Sequence, residues 1–235
     1  MAHTPDVGAV DVIIPALDEE QALPHVLAEI PRWVRRVVVA DNGSRDGTAD
    51  VARAAGAEVV HEPRRGYGAA CLKALSHLAA DPPAVVVFLD GDHSDHPEEM
   101  GALLEPIARG AAELVIGSRA RGNAESGSLT PQQRVGNAIA CVALRAFYGV
   151  SYTDLGPFRA IRYDALERLG MRDRDYGWTV EMQIKAARRG VRHSEVPVSY
   201  RRRIGVSKVS GTLRGTLGAS RKIITVLLRH AWATP

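Results

Sequence analysis

Residues 84–99 read AVVVFLDGDHSDHPEE. The first six side chains are apolar with no polar alternation, and a strand of that kind is buried on both faces, as in a parallel sheet covered by helices. The run then breaks into five carboxylic acids and two histidines within ten positions, 90–99. Outward from this stretch, similar Val- and Ile-rich runs stand at VDVIIPAL (10–17), RVVVAD (36–41), AEVVHE (57–62) and ELVIGSR (113–119). Helical patterns over 21–30, 47–55, 67–80 and 97–109 fill the gaps. Strand alternating with helix predicts right-handed crossovers and an α/β fold with a mostly parallel central sheet flanked by helices.

Beyond Arg119 the rhythm changes. ARGNAESGSLTPQQ (120–133) reads as a loop. Helices are expected over 132–148, 164–169 and 179–189, and a strand over 194–200. A last helix is expected over about 212–230, with Leu213, Leu217, Ile224 and Leu228 on one stripe. The soft boundary near 120 divides one domain (1–210) into halves of about 10–119 and 120–210, followed by a basic amphipathic helix over 211–235.

The 235 residues suit one domain, and a chain of this size buries roughly 70% of its unfolded surface without staples. A hydrophobic share of 46% and a charged share of 24% are those of a globular protein. The net charge of +3 is uneven: after Glu195 there is no acid, while Arg201, Arg202, Arg203, Lys208, Arg214, Arg221, Lys222 and Arg229 follow. An acidic centre beside a basic C-terminal segment suits an anion handled through a bridging cation. Cys71 and Cys141 match no zinc or redox spacing and read as reduced core residues. No apolar run is long enough to span a membrane, and MAHTPDVGAV lacks the build of a signal peptide. The expected location is cytoplasmic, with peripheral contact at the inner membrane face.

In open parallel sheets, ligands lie beyond the carboxyl ends of the strands. The five strands expected up to residue 119 end in PALDEE (15–20), DNGSRDGT (41–48), EPRRGYGAA (62–70), DGDHSDHPEE (90–99) and GSR (117–119). Asp90 and Asp92, one residue apart at a strand end, point to one oxygen-liking cation, Mg2+ or Mn2+. His93 and His96 raise a transition-metal hydrolase as a competing reading. Pro97-Glu98-Glu99 also makes a good helix start, which favours a structural role for both histidines. Asp46 with Thr48 is expected to cap the helix that follows.

The ordered set P-x-L-x-E-E, D-x-x-S-x-D-G-T, R-x-G-x-G, D-x-D-x-x-x-x-P-E, G-S-R, G-x-F-R, G-W-x-x-E and R-x-x-G-x-S-K resembles family 2 glycosyltransferases of the GT-A type. Within them it resembles most the branch of dolichyl- and polyprenyl-phosphate mannosyl- and glucosyltransferases. That resemblance covers about residues 10–208. It implies a nucleotide-diphosphate sugar held by Pro15, Leu17, Glu19, Asp41, Asn42, Ser44, Arg65, Gly66, Asp90, Gly91 and Asp92. Catalytic roles fall to Asp92 and Arg119. Phosphate or acceptor contacts fall to Arg119, Arg134, Trp178, Glu181, Arg202, Ser207 and Lys208. The metal would take up charge on the departing nucleoside diphosphate. Hydroxyl-directed relatives carry Glu-Asp where this chain has Glu181-Met182, and methionine takes no proton. A phosphate acceptor needs no base, which favours a lipid phosphate in an inverting single displacement. For a soluble hydroxyl acceptor, Asp154 is the expected base. Nucleic acid is not an expected partner.

Overall fold

The computed structural model describes residues 6–205. The apolar runs form strands, and their parity decides which face each side chain joins. In β1 (Val10–Ala16), Val12 and Ile14 face one layer and Ile13 the other. The other strands are β2 (Arg36–Asp41), β3 (Glu58–His61), β4 (Val85–Phe88), β5 (Leu114–Ser118), β6 (Arg159–Arg162) and β7 (His193–Pro197). They make one sheet in the order β3-β2-β1-β4-β6-β5-β7. One face is covered by α1 (Leu23–Glu29), α2 (Thr48–Ala54) and α4 (Met100–Ala108), through Leu23, Val26, Ala52, Met100, Leu103 and Leu104. The other is covered by α3 (Tyr67–Leu78), α5 (Pro131–Tyr148), α6 (Tyr163–Leu169) and α7 (Trp178–Arg188).

β1 pairs in parallel with β2 on one side and β4 on the other. The strand order therefore reverses at β1, and the crevice between the carboxyl ends of β1 and β4 is where such sheets take ligands. Asp90 and Asp92 follow β4 at that crevice.

The sheet differs from the sequence expectation at β6. This strand runs antiparallel between β4 and β5, so residues from beyond 120 enter the centre of the sheet. Its four residues, Arg-Ala-Ile-Arg, are too short and too charged to read as a central strand, yet Arg159 is fully buried. Its guanidinium survives there because carbonyls surround it: it donates to the oxygens of Leu155 and Thr179 at 3.0 and 3.1 Å, and to Gly156. Burial lowers its pKa to about 10. The stretch expected as one helix over 97–109 is a 3-10 turn at Pro97–Glu99 followed by α4. The cysteines are unpaired, Cys71 buried on α3 and Cys141 half-buried on α5.

Candidate active site

The loops after β1 and β2 are laced together by groups that side chains provide. Asp18 donates its N–H to the Ser44 hydroxyl at 3.0 Å, and Arg45 returns one to the Asp18 carboxylate at 2.7 Å. Glu19 donates its N–H to Thr48 Oγ1 at 2.8 Å, and Gly47 donates to Glu20 at 3.0 Å. Asp46 accepts from the Thr48 N–H and hydroxyl and from the Glu20 N–H. This corrects the capping expectation: α2 begins after Gly47 with no side-chain cap, and Asp46 and Thr48 brace the two loops instead.

Pro15 lies within β1 opposite Ala40, and Leu17 follows the strand, half-buried. Asp41 is buried and accepts from the Ser44 N–H at 2.9 Å, with His61 Nδ1 at 3.1 Å. Burial alone would raise its pKa; Ser44 and His61 outweigh that and hold the carboxyl below its usual range. Asn42 spends its side chain on the chain itself. Its amide donates to the carbonyls of Glu62 and Arg64, at 3.0 and 2.7 Å, and its oxygen accepts from the Gly66 N–H at 2.8 Å. It therefore fixes the loop after β3, where Arg65 is exposed beside Gly43.

Gly66 and Gly68 permit one close approach. A Cβ on either would lie 2.1 Å from a backbone oxygen, that of Arg174 or Asp173. The first turn of α3 uses this contact: Gly68 and Ala69 donate their N–H groups to the carbonyls of Asp175 and Arg174. Glu181 holds that 172–175 turn in place. Its buried carboxylate accepts from the N–H groups of Arg172 and Asp173 and pairs with Lys185 at 2.7 Å. Trp178 is buried and meets Phe88 edge-on at 5.9 Å between ring centres. The structure thus places Trp178 and Glu181 beneath the site, in core and loop support. Gly68→Ala is expected to lose about 3 kcal/mol of stability, because a backbone carbonyl cannot give way as a side chain does. Urea denaturation checks it; a loss under about 0.5 kcal/mol would mean that the turn moves freely.

Asp90 and Asp92 meet at the β4 end. Asp90 accepts from the Tyr67 hydroxyl at 3.1 Å. Burial, then the charge of Asp92, pushes its pKa up to about 6. Asp92 is buried; it accepts from the Ser94 N–H at 2.9 Å and from the Ser94 hydroxyl, and its other oxygen is paired with Arg203. Gly91 leaves room beside Ile14 and Glu19. Asp95 is buried near both, and neither of its oxygens is engaged in a hydrogen bond. Burial and the charges of Asp90 and Asp92 raise its pKa well above the carboxylate range.

These carboxylates repel one another, and the Arg203 guanidinium, paired with Asp92, offsets part of that repulsion. The donor set fits a hard divalent cation held by few protein oxygens, with other positions left to phosphate. Among the described residues no group of three His, Cys, Asp or Glu side chains forms a ready cation cage. His93 and His96 turn elsewhere, to Glu29 and Glu98, each at 3.0 Å.

Arg119, at the end of β5, is clamped by Asp154. The Asp154 carboxylate accepts from the Arg119 N–H at 2.8 Å, from Nε at 2.8 Å and from the terminal nitrogen at 2.7 Å. The guanidinium also lies over the Tyr200 ring, 5.0 Å from its centre. Gly156 lets this turn reach β5: a Cβ there would be 2.6 Å from the Gly117 oxygen. Glu195 holds the other side, accepting from the N–H groups of Thr153 and Asp154. Asp154 is 2% exposed and fully committed. Both of its oxygens accept from Arg119, so the carboxylate expected as a base for a hydroxyl acceptor is found aiming that guanidinium.

A cavity of about 490 Å³ opens beside this pair, lined by Arg119, Arg134, Asn137 and Asp154 among others. Arg202 lies outside it. Its guanidinium donates to the Ser126 carbonyl at 2.7 and 3.0 Å, and its neighbour Arg203 reaches the acidic pair. Ser207, Lys208 and the helix expected over 212–230 lie outside the described residues. Sequence reading missed Tyr67, Asp95 and Arg203. Tyr67 sits inside R-x-G-x-G and Asp95 inside the acidic stretch, so both had a signal; nothing in Arg201-Arg202-Arg203 separates one arginine from the next.

Known proteins match this chain in sequence and in fold. The family model described as glycosyl transferase family 2 matches residues 11–170. An uncharacterised glycosyltransferase of Mycobacterium tuberculosis is 42% identical over 211 residues, covering 89% of this chain and 93% of the relative. An undecaprenyl-phosphate mannosyltransferase of Micrococcus luteus is 32% identical over 216 residues, 86% of this chain and 88% of that one. Among solved structures, glucosyl-3-phosphoglycerate synthase from Mycobacterium tuberculosis, in complex with Mn2+, UDP and glucosyl-3-phosphoglycerate, superposes with a TM-score of 0.75. It is 26% identical, over 97% of this chain and 81% of that chain. The chain therefore belongs to glycosyl transferase family 2 and is a glycosyltransferase of the GT-A fold.

Proposed function

We propose that this enzyme moves one sugar from a UDP- or GDP-sugar to a polyprenyl or dolichyl phosphate, with inversion and with Mg2+ or Mn2+ held by Asp90 and Asp92. The observation that carries the reading is the pairing of Arg119 and Arg134 at one cavity with no carboxylate there free to act as a base. A phosphate monoester arrives already anionic, so it needs positive charge and aim rather than deprotonation. Met182, buried at 0% exposure, takes no proton either.

The metal supplies Lewis-acid stabilisation of the departing nucleoside diphosphate. The chain's own groups do the rest. Glu19, Asp41, Ser44 and the loop pinned by Asn42 border the nucleoside side of the crevice. Tyr67 holds the Asp90 carboxylate by its hydroxyl, and Ser94 orients Asp92. Arg203, resting on Asp92, is placed to exchange that carboxylate for a diphosphate oxygen. Arg119, aimed by Asp154, and Arg134 receive the acceptor phosphate. The names of the mannosyl relatives support this acceptor.

A second reading keeps the fold and changes the acceptor to a soluble hydroxyl-bearing small molecule. The structural neighbour with glucosyl-3-phosphoglycerate bound favours it. The test incubates the protein with Mn2+, radiolabelled UDP- and GDP-sugars, and either undecaprenyl phosphate or 3-phosphoglycerate. An acid-labile anionic glycolipid is the expected product. Transfer to phosphoglycerate alone would replace the lipid reading with the soluble one, and transfer to neither would overturn both.

A further inference from the structure

Helix α5 leaves a face exposed among the described residues. It runs for 18 residues, fixed at its start by the reciprocal Thr130–Gln133 capping box and stopped by Gly149 in the left-handed conformation. Only Ala140 and Leu144 are buried. On the other side Val135, Ile139 and Val142 are 58%, 58% and 68% exposed, and Phe147 is 56% exposed. These four are the large apolar side chains that the described residues leave in water, and all lie on this helix. Spacings of four and three residues put the first three on one stripe. Exposed apolar side chains scattered singly need no explanation, but a stripe confined to one helix does.

The stripe adjoins the cavity. Gln133, Arg134, Asn137 and Ala138 of the same helix line the space shared with Arg119. Arg134 and Arg145 are the helix's charges, and it contains no Asp or Glu. An apolar stripe edged by arginines and free of acids is complementary to an anionic lipid surface, on which such a helix lies flat. No helix among the described residues is long and apolar enough to cross a membrane.

We infer that α5 docks the enzyme on the bilayer that contains its acceptor, with Val135, Ile139 and Val142 in the interface and Arg134 at the headgroup level. This inference rests on the lipid-phosphate reading and deepens it. The mouth of the cavity then opens at the depth where a lipid phosphate sits, and the acceptor's hydrocarbon need not leave the bilayer. It also assigns to α5 a contact that composition alone suggests for 211–235.

The experiment compares wild type with the double variant Ile139→Asp/Val142→Asp, both at exposed positions. Flotation uses vesicles of phosphatidylcholine with a minority of phosphatidylglycerol, with and without undecaprenyl phosphate. Turnover is measured on vesicle-embedded undecaprenyl phosphate and on water-soluble geranyl phosphate. The thermal shift with Mn2+ and UDP reports the donor site. The wild type is expected to float. The variant should bind vesicles about tenfold more weakly or worse and lose turnover on the embedded acceptor in parallel, with geranyl phosphate turnover and the thermal shift unchanged. A variant that floats as well as wild type, or a wild type that does not float, overturns the inference. So does a wild-type dimer that the variant turns into monomer by light scattering, since a second copy would then cover the stripe. Flotation lost in the variant, with neither acceptor glycosylated in wild type, leaves the docking face standing and removes the lipid-phosphate acceptor instead.

Discussion

Asp92→Ala should fold and lose at least about a hundredfold of its transfer rate, which corresponds to about 2.7 kcal/mol of transition-state stabilisation. The side chain is buried at the end of β4, fixed by Ser94 through one oxygen and paired with Arg203 through the other. Removing it takes away half of the carboxylate pair proposed to hold the metal. Stability should change little, because the Arg203 side chain, 29% exposed, can turn to water when its partner goes. Two measurements separate these effects. The thermal shift produced by Mn2+ with UDP should disappear, while the unfolding temperature of the protein alone stays near that of wild type. Near-normal metal-dependent turnover in this variant would take the metal away from Asp90 and Asp92, and the reaction scheme with it.

Asp154→Asn should behave in the opposite way: a large loss of stability and a modest loss of rate. The buried carboxylate is the counter-ion of Arg119, and its loss strands a guanidinium whose pKa the pair holds above the usual value. Breaking one side of a buried pair costs about 3–5 kcal/mol. Arg119 then loses its aim, and a fall of about tenfold in kcat is expected with the pH profile of wild type retained. A general base would give another signature: a loss of about a hundredfold or more and disappearance of the acidic limb of the profile. The rates must be taken at a temperature where circular dichroism shows the variant folded. The base signature would restore a hydroxyl acceptor and displace the phosphate reading.

Much of the architecture was legible because burial leaves a local trace. The runs at 10–17, 36–41, 57–62, 84–90 and 113–119 became β1 to β5, with ends shifted by at most two residues where hydrogen bonding stops before the run does. A strand sandwiched between helix layers must be apolar on both sides, and that requirement is visible without knowing its neighbours. The acidic stretch at 90–99 was visible for the same local reason.

What stayed hidden depends on partners far along the chain. Arg159 looks like a surface charge until β6 is seen in mid-sheet, where carbonyls from 155, 156 and 179 surround it. Nothing near Asp154 in sequence shows that Arg119, 35 residues away, lies on both of its oxygens. Trp178 and Glu181 read as acceptor contacts, yet folding sends one into the core and the other under the 172–175 turn. The sequence by itself determined the layered α/β fold, the carboxylate pair and the family, since each is written in contiguous residues. Only the tertiary structure decided which arginine meets that pair, which acid aims Arg119, and which helix face stays exposed among the described residues. Those outcomes come from distances between segments, and no local pattern of side chains encodes such a distance.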